Sequence, residues 1–262
     1  MDDYCLLNLP ANAFASVWHQ LSFSGRRTFM LVSKAARDKA FQHAPLIKYR
    51  PALSRNGIFD DVKAVLGARK EMLHLELWLQ ACTTSQVSEL LLQLHSAQAG
   101  GAVRHLTLMA FPPAAHALHL LSSWSSLTSL ALDAVAIPDA AFFAALATCP
   151  LARLVLGNLV ELPDDASSAP AKALMRACLP HVTELQCFVQ HCALISALEG
   201  QLASLVLEDT RDPVAQERQQ HHFDHVLRCT RLGTLAMGVS HSGGQLAQLA
   251  GMASRRHVLL DA

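Results

Sequence analysis

The chain has 262 residues, 52% of them hydrophobic and 16% charged, and its 21 basic and 21 acidic side chains cancel at neutral pH. A chain of this length and apolarity buries a substantial core, which excludes disorder as a description of the whole. With a pI near 7.2 it carries no net field to draw it onto nucleic acid or anionic lipid, so neither is expected as a partner.

The charge is unevenly spread. Between residues 26 and 70, eleven basic residues face only Asp38, Asp60 and Asp61, which reads as a solvated basic face. Seven cysteines at irregular spacings do not form the framework of a small secreted domain, and a reducing compartment, cytoplasmic or nuclear, is expected. Asp2-Asp3 at the start, with Asn8, Pro10 and Asn12 breaking the apolar stretch that follows, argues against a signal peptide. No apolar run reaches the roughly 18 residues of a membrane span.

Along the chain, the first predicted element is a helix after Leu9-Pro10, with Phe14, Val17, Trp18 and Leu21 at i, i+3, i+4, i+7. Ser24-Gly25 is expected to break it. A second apolar run, Phe29-Met30-Leu31-Val32, leads towards a helix in which Val32, Ala36, Ala40 and Phe41 share one face.

From residue 72 a repeat takes over. The pattern L-x-x-L-x-L recurs with conservative replacements at Met72-Leu75-Leu77, Val103-Leu106-Leu108, Leu127-Leu130-Leu132, Leu151-Leu154-Leu156, Val182-Leu185-Cys187, Leu202-Leu205-Leu207 and Leu232-Leu235-Met237. Successive starts differ by 31, 24, 24, 31, 20 and 30 residues. In an extended segment, positions four and six point to one side, and position one packs inward from the preceding turn, so each unit supplies one layer of core. Between the strands, Val87-Leu90-Leu91-Leu94 marks a helix with one buried stripe, repeated more weakly at Phe142-Leu146, Leu174-Cys178, Leu194-Leu198, Phe223-Val226-Leu227 and Leu246-Leu249-Ala250. Strand and return helix thus alternate, and neither buries its apolar face until a neighbouring unit stacks on it. A doubly wound sheet shares this alternation, but its strands would read as near-continuous Val/Ile runs, whereas the residues between these anchors are mostly small or polar.

Two resemblances follow from these residues. Residues 72 to about 240 resemble leucine-rich-repeat proteins of the cysteine-containing, ribonuclease-inhibitor-like kind, most clearly from Ile137 to Leu156, although the Asn that usually follows the strand is absent from most units. Leu9-Pro10, the helical stripe to Leu21, the basic pair Arg26-Arg27, Leu31-Val32-Ser33-Lys34 and Arg37 resemble an F-box, with Ala36 where that family frequently has Trp. The fold implied is α/β, a leucine-rich-repeat solenoid forming a right-handed horseshoe arc, preceded by a small all-α unit. The corresponding domains are residues 1–50, a connecting or capping segment 51–71, and about seven repeats over 72–262.

The F-box resemblance implies binding to the Skp adaptor of a cullin-RING (SCF-type) ubiquitin ligase, with a protein substrate presented by the repeats. Leu9, Pro10, Val17, Trp18, Leu21, Leu31 and Val32 would face or support the adaptor, and the sequence does not separate surface from interior among them. The alternative is a non-catalytic scaffold, cytoskeletal or ciliary for example, whose first helices only cap the repeats.

By alternation, the third, fifth and seventh positions of each strand turn away from the core and towards the concave side. They include His74, Glu76, Trp78, His105, Met109, Asp133, Arg153, Glu184, Phe188 and Glu208, and Trp78, Met109 and Phe188 are large apolar groups suited to anchoring a protein.

Cys178, His181, Cys187, His191 and Cys192 are dense in metal-ligand types but fit no common zinc spacing, and buried thiols are expected instead. His221, His222 and His225, and likewise His116 and His119, are read as solvated. No GxSxG, GxxxxGK[ST], HExxH or helix-opening GxGxxG occurs. The expectation is a protein that is not an enzyme, with no cofactor and no metal.

Overall fold

In an extended chain whose every second side chain is apolar, one face must be covered, and a parallel neighbour is reached only by a crossover on that covered side. The computed structural model describes residues 6–43, 46–49, 73–80, 82–96, 103–110, 119–137, 139–208, 219–238, 248, 251 and 259–261. Met72, the segment 51–71, His116, and Leu246, Leu249 and Ala250 lie outside them.

Among the described residues, nine strands form one sheet in strict chain order. They are β1 (Leu46–Tyr49), β2 (Leu73–Trp78), β3 (Val103–Met109), β4 (Ser129–Asp133), β5 (Arg153–Leu156), β6 (Glu184–Phe188), β7 (Ser204–Glu208), β8 (Thr234–Gly238) and β9 (Leu259–Asp261). Every adjacent pair is parallel. The order never reverses, as it does in a doubly wound sheet.

The leucine spacing fixes the register. Ile47, Leu75, Leu106, Leu130, Leu154, Leu185, Leu205, Leu235 and Leu260 are successive partners from strand to strand. Position six makes a second row, with Leu77, Leu108, Leu132 and Leu156 in register, and Cys187, Leu207 and Met237 continuing it. The side chains from Leu75 to Leu235 in the first row are buried, as are the first-position residues Val103, Leu127, Leu151, Val182, Leu202 and Leu232. A one-residue slip would turn each strand's leucines to the other face, so the register is strongly specified.

Helical segments cover this leucine face, each packing on the next. Helix α4 (Thr84–Ser96; α1 to α3 are given below) is entered through a reciprocal cap: the Thr83 hydroxyl accepts from the Gln86 N–H at 3.3 Å, and the Gln86 carboxamide accepts from the Thr83 N–H at 2.8 Å. Its Val87, Leu90, Leu91 and Leu94 are fully buried, as their spacing requires. Short 3-10 helices follow at His119–Ser123 and Ala140–Leu146, then α5 (Ala169–Cys178), α6 (Cys192–Leu198) and α7 (Gln219–Arg228). The Phe142-Leu146 segment is thus a 3-10 turn capped by Asp139 rather than an α-helix, although Phe142, Phe143 and Leu146 are buried. In α5 the inward residues are Ala171, Met175 and Cys178, and Leu174, expected inside, is exposed.

The N-terminal unit consists of α1 (Ala11–Gln20), α2 (Phe23–Val32) and α3 (Lys34–His43). Two expectations are corrected here. The first break falls at Leu21-Ser22, and Ser24-Gly25 lies in the first turn of α2 because the Ser22 hydroxyl caps the Gly25 N–H at 3.1 Å. The run through Val32 is also two helices, because Ser33 is extended and caps the Ala36 N–H, so Val32 does not share the buried face of Ala36 and Ala40.

Phe14, Trp18 and Ala40, with Leu9, Leu21, Phe29 and Met30 against them, form a core separate from that of the sheet. Arg26 donates to the carbonyls of Trp18 and His19, both at 3.0 Å, satisfying the end of α1, and Lys39 ties α3 to the carbonyls of Leu7 and Leu9. The sheet begins with β1 directly after this unit, earlier than the repeat at residue 72, and ends with β9, which pairs with β8.

Candidate functional site

Alternation leaves the opposite face of the sheet open, with His105, Arg153, Glu184 and Thr234 exposed along it. Parallel register sorts its side chains into rows. His74, His105, Ser129, Arg153, Glu184, Ser204 and Thr234 make the first, and Glu76, Thr107, Ala131, Val155, Gln186, Val206 and Ala236 the second. Along the carboxyl ends of the strands, Trp78, Met109 and Asp133 are partners, as are Phe188, Glu208 and Gly238.

Beside β2, His74 Nε2 is 3.1 Å from the Thr107 hydroxyl and its ring meets that of His105 edge-on at 5.8 Å. Partial desolvation against its neighbours, and then the positive charges of Arg104 and Arg153, hold His105 below the usual histidine range. Glu76 is only 7% exposed and accepts a hydrogen bond from the Trp78 indole, so this carboxylate is part of the face's structure rather than a free charge. Further along, Arg153 donates to the Gln186 carbonyl oxygen at 3.3 Å, and the Gln186 amide donates to Glu208 at 3.0 Å, linking β5, β6 and β7. Glu184 is exposed beside them. Trp78, Met109 and Phe188 are each half-buried.

At the carboxyl end of β6, the buried His191 is fixed by both ring nitrogens. The Phe188 N–H donates to Nδ1 at 3.2 Å, which makes Nδ1 the acceptor, so Nε2 carries the proton and donates to the Val160 carbonyl at 2.9 Å. Burial pulls its pKa down to about 4, slightly opposed by the Val160 hydrogen bond. Gln190 reaches the same turn, donating to the Asn158 carbonyl at 2.6 Å. These roles are invisible to motif reading, which groups His191 with potential zinc ligands. The only signal the sequence carries is position, because Gln190 and His191 come just after the strand of their L-x-x-L-x-L unit, which ends at Phe188.

Among the described cysteines, Cys149, Cys178, Cys187 and Cys229 are core thiols, and Cys82 and Cys192 are half-buried. Cys149 donates to the Leu121 carbonyl at 3.0 Å and burial pushes its pKa up to about 11. Cys187 is pushed far up, chiefly by burial and then by Cys192, Glu208 and Cys229. Burial likewise raises Cys178. Burial favours the neutral thiol in all three. Among the described residues no three His, Cys, Asp or Glu side chains converge to hold a metal ion. His225 faces Glu199 at 3.6 Å, and the side chains of His119, His221 and His222 lie outside the described part.

The structure divides the N-terminal candidates. Trp18 is interior, stacked on Phe14 at 5.7 Å, while Leu9, Val17 and Leu21 are half-buried and Pro10 is exposed. Leu31 and Val32, 75% and 73% exposed at the end of α2, are the most exposed large apolar residues described. No helix among the described residues is long and apolar enough to cross a membrane.

A scan against protein-family models gives no match, and a search of the curated proteins gives none. Fold and surface therefore define the chain by themselves, as an α/β protein whose described residues form a single, sequentially ordered parallel sheet with helices over one face and the exposed side chains of His105, Arg153, Glu184 and Thr234 on the other.

Proposed function

We propose that this protein is the substrate-recognition subunit of an SCF-type ubiquitin ligase, with a leucine-rich-repeat solenoid that holds a protein substrate on its open, concave face and an F-box-like helical unit that binds the Skp-type adaptor. The chain itself performs no chemistry in this reading, and it works in the cytoplasm or nucleus.

One observation carries the adaptor half. A three-helix unit with its own aromatic core leaves Leu31 and Val32 in solvent side by side, an apolar pair with no role in folding that unit. The leucine register supports the solenoid, since each layer is completed only by the next. Trp78, Met109 and Phe188 supply anchors on the open face.

A scaffold whose first helices cap the sheet is the second reading. Ala36 favours it, because that position is 1% exposed and has no room for the family's aromatic residue. The separate N-terminal core weighs against it, since a cap would share the core it covers.

Mixing the full chain with a Skp-type adaptor and measuring co-elution tests the proposal. A stable complex is expected, lost in Leu31→Asp/Val32→Asp. Absence of a complex with folded full-length protein would leave the scaffold reading.

A further inference from the structure

We propose that Gln190 and His191 form a proton-releasable clip that fixes where Phe188 stands on the open face. His191 bridges two segments, the end of β6 through the Phe188 N–H at 3.2 Å and the turn after β5 through the Val160 carbonyl at 2.9 Å. Gln190 holds that turn independently through Asn158. The Phe188 ring stands edge-on to the imidazole, 6.4 Å away.

This bridge works in only one protonation state. The neutral ring must accept at Nδ1 and donate at Nε2. A second proton on the ring lands on Nδ1 and sets an N–H against the Phe188 N–H, two donors facing each other in a site 1% exposed. The bond to Val160 survives, because Nε2 still donates. The clip therefore opens on one side only: His191 stays with the turn, Gln190 still holds Asn158, and the Phe188 N–H loses its acceptor, leaving the end of β6 held by its pairing with Glu208 on β7.

The titratable groups on the surrounding elements are Cys187 on β6, Cys192 at the head of α6, Glu161 on the turn and Glu208 on β7. The ring's ionisation answers first to burial and then to the Val160 carbonyl. The inference concerns the chain's own conformations, and it stands whichever partner the face or the N-terminal unit binds.

The test follows the labelled full-length protein by NMR from neutral pH down to about 4, reading the imidazole nitrogens of His191 and the hydrogen-exchange protection factor of the Phe188 amide. At neutral pH, Nδ1 should be unprotonated and the Phe188 amide protected. On acidification Phe188 protection should fall about tenfold or more beyond that of the Leu205 amide, in step with ring protonation. His191→Asn keeps an acceptor oxygen where Nδ1 was and cannot titrate, so it should hold Phe188 protection across the range. Two outcomes overturn the proposal: a proton on Nδ1 at neutral pH, or the same loss of protection in His191→Asn. If the variant does not fold, the tautomer and the coupled titration of the wild-type protein decide alone.

Discussion

The carboxylate of Asp133 lies over Gly157, so close that a β-carbon at residue 157 would stand 2.1 Å from Oδ1 and 2.9 Å from the Asp133 Cβ. The carboxylate cannot simply swing away, since Oδ1 also accepts the Ala134 N–H at 3.0 Å and the Asp133 Cβ is fixed to the strand. Gly157→Ala should therefore destabilise the protein by about 1–3 kcal/mol in denaturant unfolding. Adding Asp133→Ala should recover part of that loss, which would distinguish this clash from a general intolerance of residue 157.

Ala110 and Ala134 follow β3 and β4 with φ of 53°, the left-handed region that costs a residue with a β-carbon roughly 1–2 kcal/mol. Glycine removes that strain but makes the unfolded chain freer. Ala134→Gly should therefore raise stability by a net ~0.5 kcal/mol, and the double variant with Ala110→Gly by about twice that, read as a higher denaturation midpoint with an unchanged slope.

The leucine ladder makes a contrast that sequence spacing alone would miss. Leu154 is fully buried in the middle of the sheet, and Leu154→Ala should cost about 2–5 kcal/mol. Leu174 looks equivalent in the sequence but is 40% exposed on α5, so Leu174→Ala should stay within about 1 kcal/mol. Equal losses at the two sites would contradict the burial described.

In the N-terminal unit, folding and binding should separate. Trp18→Ala empties the small aromatic core and should unfold the three helices, at a cost of about 3–5 kcal/mol. Leu31→Asp/Val32→Asp should leave the thermal midpoint almost unchanged while abolishing adaptor binding, as judged by differential scanning fluorimetry beside the co-elution assay.

Stability should fall in mild acid. The folded protein holds His191 near pKa 4, against an ordinary 6.5 in the unfolded chain, so between those values the unfolded state binds the extra proton and the folded state does not. The His191 contribution is fully present above pH 6.5 and declines as pH drops towards 4, by about 3 kcal/mol in all. His225, lowered chiefly by burial, acts in the same sense. Urea titrations at stepped pH should show the decline, and His191→Leu, less stable at neutral pH because it strands the Phe188 N–H and leaves the Val160 carbonyl only the longer 3.4 Å bond from Gln190, should show a flatter profile.

The residues themselves determined the leucine register and the alternation of strand with return helix. Leucines at positions one, four and six leave an extended segment one way to bury them, and at position four this local rule holds in every unit from Leu75 to Leu235. The same alternation assigns Trp78, Arg153 and Phe188 to the face opposite the leucines.

Tertiary structure decided what depends on neighbours distant in sequence. Leu46–Tyr49 is too short to carry a pattern of its own and becomes a strand because β2 offers an edge to pair with. Whether Trp18 or Leu31 faces solvent depends on how α1 and α2 cross, and Ser22 and Ser33 set that by ending helices the apolar run would have continued. His191 looks like a metal ligand in one dimension. It becomes a buried hydrogen-bond bridge only because the turn at Val160 arrives from the preceding unit, 31 residues earlier, with a carbonyl that needs a donor.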